Sequence, residues 1–232
     1  MKVGRGDGMN IKKWTAVFGT ALILSLGAMT AEASLWPGLA SKVSEKSGAF
    51  RTDDYHIGNT ILRSPYLIAH YNNELFAGTV NAAIAREKND FLNELKKDNE
   101  TKRTEGWMIW HEGLIGNFIN NNQGITSIVL VMQKLKAGED HGTTFAKGLN
   151  FDGTGRLFTL SELLPRLTVE DVNKCIETTA KKKNIPLLPN HRVIKLPENF
   201  YVGKNRVVYA IYQQHDLTPA EYGVFSVAVG KL

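Results

Sequence analysis

The stretch Ile125-Thr126-Ser127-Ile128-Val129-Leu130-Val131-Met132-Gln133-Lys134-Leu135 constrains the fold more than any other. It is rich in Ile and Val and holds neither Gly nor Pro, the composition of a β-strand. Ala137-Gly138-Glu139-Asp140-His141-Gly142 breaks it, and residues 143–151 read as the returning partner. Further strands are expected at 60–71, where Pro65 marks an edge or bend, and at 107–111, 191–196, 199–202, 206–213 and 224–229. Gly203-Lys204-Asn205 reads as a hairpin turn. Connections between the later strands are short, which favours antiparallel pairing.

Two helices are expected among these strands. Over residues 81–97 the stripe Val80, Ile84, Phe91 and Leu95 recurs at spacings of four and seven, one face of a 3.6-residue period. Over 169–184 the stripe is Val172, Ile176 and Ala180, and Lys181-Lys182-Lys183 fills a last turn where cations suit the helix dipole. Thr159 or Ser161 can cap a short helical turn through Leu164, which Pro165 ends. The class is α+β, a largely antiparallel sheet with two or more helices packed on one face.

The start of the chain speaks to destination. Lys12-Lys13 precede an apolar run from Trp14 to Met29, followed by Ala31-Glu32-Ala33 and then Ser34. That is the n-region, h-region and small-residue site of a secretory signal peptide, with cleavage expected after Ala33. The run is shorter than the roughly 20 residues a spanning helix needs, so no stable membrane span is expected after cleavage. Met9 is an alternative start to Met1. The expected organisation is a signal peptide at 1–33, a lead-in at 34–59 and one domain at 60–232, secreted or periplasmic. The chain carries +5, of which Lys2, Arg5, Lys12 and Lys13 against Asp7 and Glu32 contribute +2. The remaining +3 is no signature of a nucleic-acid partner. The single cysteine, Cys175, cannot form an internal disulfide, so the exported domain must rely on its core. Cys175 reads as a small apolar residue on a helix.

Six histidines (His56, His70, His111, His141, His191 and His215) invite a metal reading, but none pair at H-x-H or H-x-x-x-H spacing. No metal, cofactor or catalytic residue is expected. His141 and His215 each follow or precede an aspartate, yet neighbours on an extended chain point to opposite faces, so neither pair is a base with its orienting acid. Asp152-Gly153-Thr154-Gly155 lacks the ligand spacing of a calcium loop and the Lys of a phosphate loop, and reads as a tight turn. Trp107, Trp110 and His111 read as sheet core before a sugar-stacking surface.

Four pieces of sequence carry a resemblance. They are the Gly138-Glu139-Asp140-His141-Gly142 corner, the Asn150-Phe151-Asp152-Gly153-Thr154-Gly155-Arg156-Leu157-Phe158-Thr159-Leu160 turn, the Glu198-Asn199-Phe200-Tyr201-Val202 strand opening and the Pro219-Ala220-Glu221-Tyr222-Gly223 bend. In this order they resemble the RsiV-type extracytoplasmic domain, a domain of unknown function shared by RsiV-like anti-sigma factors and PdaC-type peptidoglycan deacetylases. The resemblance spans about residues 66–232. It departs at Glu139 and Asp140, where the family favours small residues, and at His215-Asp216-Leu217-Thr218-Pro219, where it favours Tyr-Glu-Ile-Ala-Pro. The sequence carries neither a sigma-binding segment nor a deacetylase module, so a sigma-regulating role is not expected. RsiV relatives recognise lysozyme; the resemblance therefore implies a non-enzymatic module that binds lysozyme or another envelope component such as peptidoglycan.

The residues expected to bind lie in two loops: Glu139, Asp140 and His141 in one, and His215, Asp216, Pro219, Glu221 and Tyr222 in the other. Loops on a rigid sheet are where recognition usually sits, and Tyr222 offers apolar area with a polar tip. The competing expectations are a peptidoglycan-modifying enzyme or accessory domain, and a structural envelope protein without a small ligand.

Overall fold

A computed structural model of the 232-residue chain describes residues 50–57, 60–68, 74–101, 103–115, 124–139 and 142–232. All belong to the compact unit Pro37–Leu232. The expected signal peptide and most of the expected lead-in lie outside the described residues.

Three antiparallel sheets are formed among the described residues. The first is a hairpin of β1 (Phe50–Ile57) and β2 (Thr60–Leu67). The second is a meander of β3 (Thr104–Ile115), β4 (Ile125–Lys136) and β5 (Thr143–Phe151), with β4 central. The third is β6 (Phe200–Val202), β7 (Val207–Tyr212) and β8 (Phe225–Lys231), with β7 central. Helix α1 (Glu74–Thr101) precedes β3, while the short α2 (Leu160–Leu163) and the longer α3 (Val169–Lys183) lie between β5 and β6. The α+β class and the antiparallel pairing stand as the sequence suggests. The strands divide among three sheets, which strand composition alone does not specify.

Each long helix buries the stripe its periodicity marks. Val80, Ile84, Phe91 and Leu95 of α1 pack with Met108, Ile128, Leu130, Met132, Leu149 and Phe151 of the second sheet and with Leu62 and Leu67 of β2. Val172, Ile176 and Ala180 of α3 pack with Val208, Ala210, Phe225, Val227 and Val229 of the third. Each fully buried aliphatic or aromatic side chain here contributes about 1.5–3 kcal/mol. Both α2 and α3 begin with a capping box, Thr159 with Glu162 and Thr168 with Asp171. Asn184, left-handed at φ 53°, ends α3.

Over Ile128–Met132 strand β4 is buried on both faces, which is why that run is apolar throughout rather than alternating. Ile128, Leu130 and Met132 face α1, whereas Ser127, Val129 and Val131 occupy the opposite face. The edge of β6 is seated against that second face. Val202 N–H donates to the Ser127 hydroxyl at 3.0 Å, and Asn150 Nδ2 donates to Phe200 O at 2.7 Å. Ser127 in turn donates to Asn150 Oδ1 at 2.7 Å. Gly148 permits the approach: a Cβ there would lie 1.8 Å from Phe200 O.

Several element boundaries differ from the sequence reading. Residues 50–57, within the expected lead-in, form β1. Helix α1 starts at Glu74, seven residues before the expected 81, and runs to Thr101, four residues past the expected 97. Residues 191–196 are not a strand. There Asn173 Nδ2 donates to Val193 O at 3.0 Å and Asn173 Oδ1 accepts from Val193 N–H at 2.9 Å. One side-chain amide of α3 thus satisfies the backbone that a sheet partner would have paired.

Candidate functional site

The loop 213–222 leaves β7 and returns to β8. Its first half is a closed turn: Asp216 N–H donates to Gln213 O at 3.1 Å, and Asp216 Oδ2 accepts from Gln213 N–H at 2.7 Å. His215, between them, is exposed and left-handed at φ 73°. The Asp216 carboxylate is therefore turned back to the backbone and does not orient the His215 ring. Leu217 and Thr218 are buried and anchor the middle of the loop, where Leu217 O accepts from Leu188 N–H at 2.8 Å. The second half is a single 3₁₀ turn, Ala220–Tyr222, in which Tyr222 N–H donates to Pro219 O at 3.1 Å.

Two glutamines fix this loop to the outer edge of β5. Gln213 Oε1 accepts from Ala146 N–H at 2.9 Å and its Nε2 donates to Ala146 O at 2.8 Å. Gln214 Oε1 accepts from Thr144 N–H at 3.0 Å and its Nε2 donates to Ala220 O at 3.0 Å. Asn199, just before β6, accepts from Gly148 N–H at 2.8 Å and donates to Ala146 O at 2.7 Å. Farther along the same edge, Asn150 O accepts from Phe158 N–H at 2.8 Å. An open strand edge is a template for unwanted pairing, and these three side chains and the Phe158 backbone close it.

Of the residues expected to bind, Glu139, His215, Asp216 and Glu221 are exposed, while Pro219 and Tyr222 are half-buried. Glu139 sits in the β4–β5 turn, its N–H donating to Lys136 O at 3.1 Å. Asp140 and His141 lie outside the described residues. Gln214 brings the 219–222 turn to the start of β5, the strand that follows the Glu139 turn. Gln213, Gln214 and Asn199 were not expected from sequence, since an amide gives no local sign that its partner is a strand edge.

The other candidates are structural. Asp152 Oδ1 accepts from Thr154 N–H, the Thr154 hydroxyl and Arg156 N–H at 2.9, 2.6 and 3.0 Å. Burial opposes ionisation of Asp152, but these bonds and the Arg156 guanidinium bring its carboxyl below the usual range. Arg156 also reaches Glu162 at 2.6 Å. The segment is a self-satisfied turn, as its sequence suggests. His191 Nδ1 is 2.8 Å from Leu188 O, and its Nε2 is 3.8 Å from Glu177, which Arg192 also engages. Burial, with the nearby Asp171 carboxylate, pushes the Cys175 thiol up, the wrong direction for a nucleophile. Among the described residues no group of three His, Cys, Asp or Glu side chains is placed to hold a metal ion. No helix among them is long and apolar enough to cross a membrane. The side chains of Trp110 and His111 lie outside the description.

Fold and loops together define an α+β domain of antiparallel sheets whose surface loops are pinned by side-chain amides. No protein-family model matches the chain, and no curated protein matches it. Among solved structures, it is similar to the crystal structure of a member of the DUF3298 family from Bacteroides fragilis. That likeness has 14% sequence identity and a TM-score of 0.48, and covers 78% of this chain and 90% of the other.

Proposed function

We propose that this chain is an exported, non-enzymatic binding module that recognises lysozyme or another cell-envelope component through the β4–β5 turn and the 213–222 loop. The observation that carries the reading is the pinning of that loop. Gln213 and Gln214 hold it on β5, so exposed His215, Asp216 and Glu221 are presented on a rigid support. Pre-organised loops lose less conformational freedom on binding. The signal-peptide pattern and the RsiV-type order of motifs support the same reading. Glu139 and Glu221 supply carboxylates for a basic partner, although the domain as a whole is mildly basic and gives no long-range steering.

The test is binding of the purified protein to immobilised lysozyme and to peptidoglycan fragments across a salt series. Lysozyme binding that survives physiological salt and weakens on Glu139→Lys with Glu221→Lys supports the proposal. Binding to peptidoglycan alone moves the ligand to the cell wall. Binding to neither, even at low salt, rejects the proposal.

A further inference from the structure

Gln214 makes two contacts of opposite polarity. Its carbonyl oxygen accepts from Thr144, the second residue of β5, and its amide nitrogen donates to Ala220 O, each at 3.0 Å. Ala220 O also accepts from Gly223 N–H at 2.9 Å, so the glutamine grips the acceptor that closes the turn carrying Glu221 and Tyr222. Among the described residues no backbone hydrogen bond joins that turn to β5. The two segments are linked there by one side chain, and its link is directional: acceptor toward the strand, donor toward the turn.

We propose that Gln214 couples the two parts of the candidate surface, so that a ligand engaging the 219–222 turn also holds the start of β5. Coupling free energies are reciprocal, so order at Thr144 equally favours the bound form of the turn. The surface's role in binding rests on the function proposed above; the coupling is a property of the chain and is measurable without ligand. Gln214 acts here as a positioning residue.

Its chemistry supplies a discriminating variant. A carboxylate at position 214 still accepts from Thr144 N–H but cannot donate to Ala220 O, whereas a protonated carboxyl does both. Site-resolved amide hydrogen exchange on the full chain compares wild type, Gln214→Ala and Gln214→Glu near pH 7 and near pH 3, on either side of an ordinary glutamate pKa of about 4.3. Gln214→Ala lowers the protection of both Thr144 and Gly223 by about fivefold, the worth of one net hydrogen bond. Gln214→Glu lowers Gly223 alone near pH 7 and returns toward wild type near pH 3. Unchanged Gly223 protection in both variants overturns the coupling. So does a joint fall of Thr144 and Gly223 in Gln214→Glu, which would signal general loosening. With lysozyme as the probe, wild type gains protection at both sites and Gln214→Ala gains it at Gly223 only. A wild type that binds no lysozyme rejects the function proposed for that ligand, and the exchange of the free variants still decides the coupling.

Discussion

The carboxamide of Gln213 meets the backbone of Ala146 as a neighbouring peptide group would, accepting from its N–H at 2.9 Å and donating to its carbonyl at 2.8 Å. Asn199 and Gln214 extend the imitation along β5. The exchange is reciprocal, because Ser127 and Asn150 of the second sheet satisfy the outer edge of β6. Two sheets that do not hydrogen-bond strand to strand thus satisfy each other's edges through side chains. Buried backbone groups demand partners, and amides supply a donor and an acceptor on one plane.

Ala146 O accepts from both Asn199 and Gln213. Removing either leaves the carbonyl one partner, whereas removing both leaves it bare. Gln213→Ala and Asn199→Ala should each cost about 1–3 kcal/mol, because each also strands one N–H. The double variant should lose more than the sum. Urea unfolding of the four proteins measures this, and strict additivity would refute the sharing of that carbonyl.

Gly148 and Gly78 should respond in opposite ways to the same change. A Cβ at Gly148 meets Phe200 O at 1.8 Å, backbone against backbone, so Gly148→Ala must separate the two sheets or prevent folding. A Cβ at Gly78, within α1, meets nothing within 4 Å. Gly78→Ala should therefore stabilise by about 0.5–1 kcal/mol through helix propensity. Thermal unfolding tests both, and a tolerated Gly148→Ala would contradict the close approach of β6.

His215 occupies a left-handed position that favours glycine. Relief of the side-chain clash, roughly 1–2 kcal/mol, is opposed by glycine's entropic cost, roughly 0.5–1 kcal/mol. His215→Gly should thus be neutral to stabilising by up to about 1.5 kcal/mol. His215→Val, β-branched at positive φ, should destabilise. If His215→Gly keeps stability yet loses ligand binding, the ring itself contacts the ligand; if binding persists, His215 serves only the turn.

Periodicity made the large elements legible. The α1 and α3 stripes are the residues that became buried, and the 143–151 strand falls on β5. Two segments depart from the sequence reading. Val193, Ile194 and Leu196 look like a strand, but Asn173 takes the place of a sheet partner. Phe50–Ile57 looks like a lead-in because Arg51-Thr52-Asp53-Asp54 interrupt its few apolar residues, yet it pairs fully with β2, where Arg51 stacks on Tyr66, and Lys88 of α1 stacks on Tyr55. The edge-capping amides were invisible for another reason. Gln213 and Gln214 find partners 67 and 70 residues away, and Asn199 finds Gly148 at 51, so no local pattern announces them. The polar corner they form reads from sequence as a binding loop, whereas its two glutamines hold the loop and its neighbours are what it presents.

The turn after β5 predicts an acid limit. Glu162 falls to about 2 from an ordinary 4.5, first through the Thr159 backbone N–H and then through Arg156 and the Thr159 hydroxyl. Asp152 is also held low, despite its burial, by Thr154 and Arg156. A carboxyl depressed in the folded state stabilises fully above its unfolded value and loses that contribution as protons bind the folded protein. Stability should therefore begin to fall below about pH 4.5 and keep falling toward about pH 2 as Glu162 titrates. Glu162→Gln should flatten the slope of unfolding free energy against pH in that window while lowering stability near neutrality. Urea unfolding at intervals through the window measures the slope, and an unchanged slope in Glu162→Gln would show that the Thr159–Glu162–Arg156 network does not hold the carboxylate in solution.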